Sequence, residues 1–231
     1  MFNRNTLLTA VALASASLGA QATVLDQWTF NSSNLTPFTG TGTASYVGTA
    51  AASSGAFAAG VSGASNDKAW NTASYAAQGA GDKTRGVQFS ISTLGFENIV
   101  FSYDSKHSGT ASAYEQVQYS LNGTTFVDLG VPFGSGTNQN FITGRTIDLS
   151  SIAATDNQAH VYFRIVSTFN PGTSSYIGTG SGYSTGGTMR FDNVTISGTA
   201  LAPVPEPETY ALMLAGLAGI GFVARRRSPK A

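Results

Sequence analysis

The side chains able to do acid–base, nucleophilic or metal chemistry are few in this sequence, and they are scattered. There is no cysteine, which removes thiolate nucleophiles and sulfur-ligated metal sites. The two histidines, His107 and His160, sit in no HExxH or comparable ligand spacing. His107 lies beside Asp104, Lys106 and Ser108, and His160 opens an apolar alternation. Gly180-Ser181-Gly182 lacks the strand–turn–helix setting of a nucleophile elbow, and without GKS or GKT there is no phosphate-binding loop. Glu97 and Glu115 could supply a glycosidase acid and base, but any scattered set of carboxylates offers such a pair. No catalytic constellation follows, and the chain is expected not to be an enzyme. Between Thr23 and Ala202, seven Lys/Arg stand against ten Asp/Glu, a net charge of −3. An acidic body without a basic stripe excludes a nucleic-acid partner.

A binding function asks for less. Sugars are held by aromatic faces against C–H groups and by a few amides and carboxylates. Trp70, Tyr176 and Tyr183 fall in loop-like, glycine- and hydroxyl-rich sequence and are the candidate glycan contacts. Trp70 also fits a core position, since large aromatics dominate core burial.

The elements that must position such residues read as strands. Short runs with period-2 alternation are bounded by Gly, Asn and Ser: 24–30, 87–92, 97–105, 114–121, 125–130, 145–150, 160–168 and 189–197. Ile99, Phe101 and Tyr103 share one face; Val161, Phe163 and Ile165 alternate with Tyr162, Arg164 and Val166. Asn122-Gly123 predicts a tight hairpin between 114–121 and 125–130. In 189–197 the spacing slips from two to three between Phe191 and Val194, which predicts a bulge at Asp192-Asn193. Two long stretches, about 39–66 and 170–187, are irregular; the first has room for weak edge strands. The fold class expected is all-β, an antiparallel sandwich over 23–200. Without disulfides, its core must hold it together alone.

The two ends have a different character. At the N-terminus, Arg4, an apolar run from Leu7 to Leu18 and the small-x-small site Ala20-Gln21-Ala22 make residues 1–22 a secretory signal peptide, with Thr23 as the first mature residue. At the C-terminus, Pro203, Pro205 and Pro207 keep the chain extended, Tyr210 to Ala224 is uncharged, and Arg225, Arg226 and Arg227 follow. The sequence predicts an apolar transmembrane helix over 210–224 with a basic cytoplasmic tail. Fifteen residues span only about 22 Å, short of a ~30 Å hydrocarbon core.

Val204, Pro205, Glu206 and Pro207, the apolar segment and Arg225–Arg227, in that order over residues 201–231, resemble the PEP-CTERM sorting signal. The resemblance implies processing by exosortase, a membrane protease-transpeptidase, and an inner-membrane intermediate with its body in the periplasm. It also implies a final place at the cell surface or in the extracellular matrix, in association with exopolysaccharide. The alternative is a permanent single-span anchor. The strand runs 119–129, 147–152, 161–166 and 189–196 resemble a jelly-roll domain found in secreted bacterial proteins and in some carbohydrate-binding modules. That second resemblance implies a structural calcium at Asp192 with Asp26 as partner; no other cofactor is expected. The function expected is a structural or adhesive role in a polysaccharide matrix, with a non-catalytic carbohydrate-binding module as the alternative.

Overall fold

The computed structural model describes residues 21–202 and 207–226. Its contacts separate a unit ending at Ala200 from a second unit beginning at Leu201.

The first unit contains twelve strands: β1 (Ala22–Trp28), β2 (Thr43–Val47), β3 (Ala50–Ala51), β4 (Phe57–Ala59), β5 (Lys68–Ala73), β6 (Gly86–Ile91), β7 (Phe96–His107), β8 (Tyr114–Ser120), β9 (Val127–Gly134), β10 (Ile142–Asp148), β11 (Val161–Ser167) and β12 (Met189–Ala200). They form two antiparallel sheets. One runs β10-β7-β12-β5-β3, with β1 also on β12 and β4 also on β5; the other runs β2-β6-β11-β8-β9. This is the antiparallel β-sandwich that the alternation predicts. The apolar phases meet between the sheets. Ile99, Phe101 and Tyr103 face Val87, Phe89, Val117, Phe163 and Ile165, all buried. Phe101 stacks on Phe163 with centroids 4.8 Å apart, and Trp28 tilts against Phe89 at 4.9 Å. Each fully buried aromatic contributes about 1.5–3 kcal/mol by leaving water.

The stretch 39–66 resolves into the short strands β2, β3 and β4. The sequence reading misses β5, because neither of its faces is free: five of its six residues are buried, so no alternation marks it. The hairpin between β8 and β9 exists, but its connection is six residues long. Asn122 Oδ1 accepts hydrogen bonds from Thr124 N and Thr125 N and closes a wider loop than a two-residue turn. The bulge at Asp192-Asn193 is present: the β12–β7 register shifts between Asp192 and Thr195, and Asn193 has φ +47°.

The second unit contains one helix, α1 (Pro207–Arg226). It is longer at both ends than the expected 210–224. Pro207 opens the helix instead of keeping the chain extended, since a first-turn proline forfeits no helical hydrogen bond. Arg225 and Arg226 lie in the last turn, where cations favour the helix dipole. Among the described residues no helix is long and apolar enough to cross a membrane. The uncharged part of α1 is short and diluted by Ala211, Ala215, Gly216 and Gly219, so the expected transmembrane helix is not borne out as a full span.

Candidate functional site

The outer face of the five-stranded sheet carries an ordered polar row. Alternation turns Val87, Phe89, Val117, Phe163 and Ile165 inward, which leaves Gln88 and Arg164, both half-buried, and the almost covered Gln118 on the other face. The strand registers then align them: Ser45 opposite Gln88, Gln88 opposite Arg164, Arg164 opposite Gln118, Gln118 opposite Asp128. One line of polar side chains thus crosses all five strands, about 19 Å at ~4.8 Å per strand. Two residues along, Thr43, Ser90, Tyr162 and Ser120 make a second line on the same face.

The first row is held in place. Arg164 Nε donates to Gln88 Oε1 at 2.8 Å, and its guanidinium lies 3.6 Å from the centroid of the Phe126 ring. Gln118 Nε2 donates to Asp128 Oδ1 at 2.8 Å, and Lys83 pairs with the other oxygen of Asp128. Partial burial lowers the Arg164 guanidinium below its ordinary value, with no acidic neighbour acting on it. Its terminal nitrogens make no hydrogen bond or ion pair among the described residues. The sequence reading sees Arg164 and Tyr162 in their alternation but not this row, because a cross-strand line depends on register between strands distant in sequence.

A second polar cluster is sealed inside. Glu115 Oε1 accepts hydrogen bonds from Tyr103 Oη at 2.8 Å and Ser105 Oγ at 3.0 Å, and Oε2 lies 2.9 Å from His107 Nε2. Arg145 Nε is 3.1 Å from Glu115 Oε1, too far off axis to count as a hydrogen bond; the contact is a charge pair. Arg145 Nη2 donates to Gly134 O. His107 Nδ1 lies 2.6 Å from the carbonyl of Ser112. A carbonyl and a carboxylate only accept, so each of these contacts is a hydrogen bond when the ring nitrogen facing it carries the proton. Burial alone would raise the Glu115 carboxyl, but the Arg145 and His107 charges, with hydrogen bonds from His107 and Tyr103, hold it at about 2. The cluster ties β7 and β10 of one sheet to β8 of the other. His107, without a partner in the sequence reading, has two. Glu97 is not brought to Glu115: Ser105, which touches Glu115, lies eight residues along β7 from Glu97, about 26 Å away.

The aromatic candidates have structural posts. Trp70 is fully buried, with centroids 4.9 Å from Tyr46 and 5.8 Å from Phe30. It is a core residue and is not available to a glycan. Tyr176 is also buried, at 3% exposure; it stacks on Tyr183 at 4.5 Å and meets Phe169 edge-on. Tyr176 Oη donates to Gly81 O and Tyr183 Oη to Ala76 O. The pair therefore pins the 170–187 stretch to the 76–81 loop, and only Tyr183 keeps a half-exposed edge.

Asp26 and Asp192 are both buried but do not converge. Asp26 stands opposite Ile196, four residues along β12 from Asp192, about 13 Å of strand. Asp26 Oδ1 accepts from Gly42 N at 2.6 Å; burial raises this carboxyl, against the pull of the Gly42 and Thr41 amides. Asp192 accepts from Val61 N at 3.1 Å and Asn193 N at 2.8 Å. Burial, with Asp67 and Asp104 nearby, pushes it up to about 6 despite those two amides. Gly60 makes this approach feasible, since a Cβ there would lie 2.7 Å from Asp192 Oδ2. Among the described residues, no group of three or more His, Cys, Asp or Glu side chains could hold a metal ion. The two aspartates do not fit the shared calcium that the jelly-roll resemblance implies.

Of the processing residues, Ala22 and Thr23 lie in β1, opposite Thr199 and Gly198. Pro207, Arg225 and Arg226 lie in α1. Ala20, Val204, Pro205, Glu206 and Arg227 fall outside the described residues, as does nearly all of the expected signal peptide.

Fold and tail together define a β-sandwich with a C-terminal sorting segment. Residues 203–227 match the PEP-CTERM protein-sorting motif. No curated protein matches the chain. Among solved structures, the chain is similar to a carbohydrate-binding module, CBM28, specific for non-crystalline cellulose. The identity is 8%, over 58% of this chain and 76% of that one, with a TM-score of 0.32. It is also similar to the K2 cleaved adhesin domain of Lys-gingipain, at 15% identity over 79% of this chain and 93% of that one, with a TM-score of 0.29.

Proposed function

We propose that this chain is exported and held briefly at the inner membrane by its tail, with the sandwich on the periplasmic side. An exosortase-type protease then processes it, and it passes to the cell surface or extracellular matrix. There it takes a structural or adhesive place among exopolysaccharide, without catalysis. The observation that carries this reading is the sorting motif across residues 203–227. A short helix ending in Arg225 and Arg226 suits a segment presented to a membrane protease, because the arginines stay cytoplasmic. Its marginal apolar length suits transient insertion better than lasting anchorage.

The test is intact-mass measurement of surface-fractionated protein from a host with the sorting enzyme and from one without it. Loss of Arg225–Ala231 only in the first host supports the reading; an untrimmed tail on surface protein overturns it. A second reading, a carbohydrate-binding module, is favoured by the ordered amide and guanidinium row on the outer sheet face.

A further inference from the structure

We propose that the outer face of the β2-β6-β11-β8-β9 sheet binds an acidic, uronate-bearing polysaccharide, with Arg164 taking a carboxylate and Gln88 and Ser90 taking sugar hydroxyls. The proposal rests on the matrix reading above for its biological setting, but the site stands on its own geometry.

Four observations carry it. First, a merely solvated sheet face leaves its long polar side chains free, whereas here they are fixed. Arg164 is clamped between Gln88 Oε1 and the Phe126 ring, and Gln118 is tied to Asp128. Fixing these rotamers beforehand removes an entropy cost that a ligand would otherwise meet. Second, the charges are unequal. Asp128 is matched by Lys83, while Arg164 has no acidic partner. The face therefore keeps one unmatched positive charge on a body of net −3. The clamp uses Nε, so the terminal nitrogens remain to hold a carboxylate, which a guanidinium binds more strongly than a neutral oxygen. Third, the rest of the face offers amides and hydroxyls, which donate and accept and so match sugar hydroxyls. Fourth, the row stays in register across five strands, so it can follow an extended chain. A nucleic acid, the other extended polyanion, would need several cations along the row; the face supplies one unmatched cation.

The experiment titrates the full chain by calorimetry with oligogalacturonates, and with the same oligomers after methyl esterification. Esterification removes the charge and leaves the ring hydroxyls. The acid oligomer is expected to bind and the ester to bind about tenfold or more weakly. Arg164→Gln should weaken acid binding by about ten- to a hundredfold, as expected when one charged hydrogen-bonding partner is lost. Arg164→Lys, which keeps the charge but not the planar fork, should fall between. Raising salt should weaken wild-type binding and leave Arg164→Gln nearly unchanged. Thermal melts confirm that each variant folds; if Arg164→Gln does not, the ester comparison on the wild type still decides.

The proposal is overturned by any of three results: no binding of the acid oligomer, equal binding of acid and ester, or equal binding by wild type and folded Arg164→Gln. A concentration-dependent dimer abolished by Arg164→Gln would instead make the face a contact between two copies and would also overturn it. The matrix reading fails separately. Protein that binds oligomers in solution yet never reaches the surface keeps the site and loses that reading. Protein retained at the surface equally well with Arg164→Gln, and without oligomer binding, does the reverse.

Discussion

Replacing Glu115 with glutamine is the sharpest probe of how the two sheets are joined. The substitution keeps the side chain's size and one oxygen for Tyr103 and Ser105, but it removes the charge that faces Arg145 and His107. It also sets an NH2 group against His107 Nε2, where the carboxylate oxygen accepted. The Glu115 carboxyl is held at about 2 against an ordinary 4.5, and a shift of that size corresponds to roughly 3 kcal/mol at ~1.4 kcal/mol per pH unit. Removing one partner of a buried ion pair costs about 3–5 kcal/mol by a separate route. The expected loss is therefore about 3 kcal/mol, or a fall in Tm of roughly 6–12 °C for a body of this size. Trp28 and Trp70 are both fully buried, so their fluorescence reports core opening during a melt. The pH sign follows from the depressed value. Glu115 contributes its full stability above about pH 4.5, and that contribution is lost as the pH falls toward 2. Glu115→Gln should lack this acid-dependent part. A variant melting within about 2 °C of wild type, or losing stability between pH 4.5 and 2 as steeply as wild type, would refute the charge clamp.

Two further outcomes are expected. Asp192 has a raised folded value, about 6, so its contribution is present at low pH and lost as the pH rises through 6. Wild type should gain stability relative to Asp192→Asn when the pH is lowered from 7 to 5; a pH-independent difference between the two melts would contradict this, and a chelator-sensitive melt at pH 7 would show that an ion does sit on Asp192. Tyr183→Phe removes the hydrogen bond to Ala76 O and should cost about 1 kcal/mol, with faster amide exchange in 76–81; unchanged exchange would mean that the phenol does not hold that loop.

What could be read from the sequence follows from where each strand lies. β7 and β11 have one face in the core and one outside, so Ile99, Phe101 and Tyr103, and Val161, Phe163 and Ile165, show a clean alternation. β5 is covered on both faces, and its buried Asn71 and Thr72 break any apolar run; Trp70 therefore stands in loop-like sequence, and only its size marks it as the core residue it is. The bulge at Asp192-Asn193 was legible because a slip in spacing is a local property. The partnership of His107 with Glu115 was not, because the two residues belong to different sheets and only the closed sandwich brings them together. The same holds for Gln88, Arg164 and Gln118, whose alignment is set by pairings between β6, β11 and β8. Tyr176 and Tyr183 were found by composition, but their phenols turned out to be spent on backbone carbonyls.

The position of β12 in its sheet also sets a timetable. β12 lies against β7 on one edge and against both β1 and β5 on the other, so the first strand of the body pairs with the last across some 170 residues of chain. Contacts of such separation form slowly. A chain threading across a membrane with its N-terminus leading emerges with β1 lacking its sheet partner, and β7, paired with β10 on one edge, keeps its other edge open until Met189–Ala200 arrives. During that interval, open sheet edges are available to proteases and to other chains. Completion of the sheet therefore waits for the last residues of the body, those that immediately precede the PEP-CTERM segment in the chain.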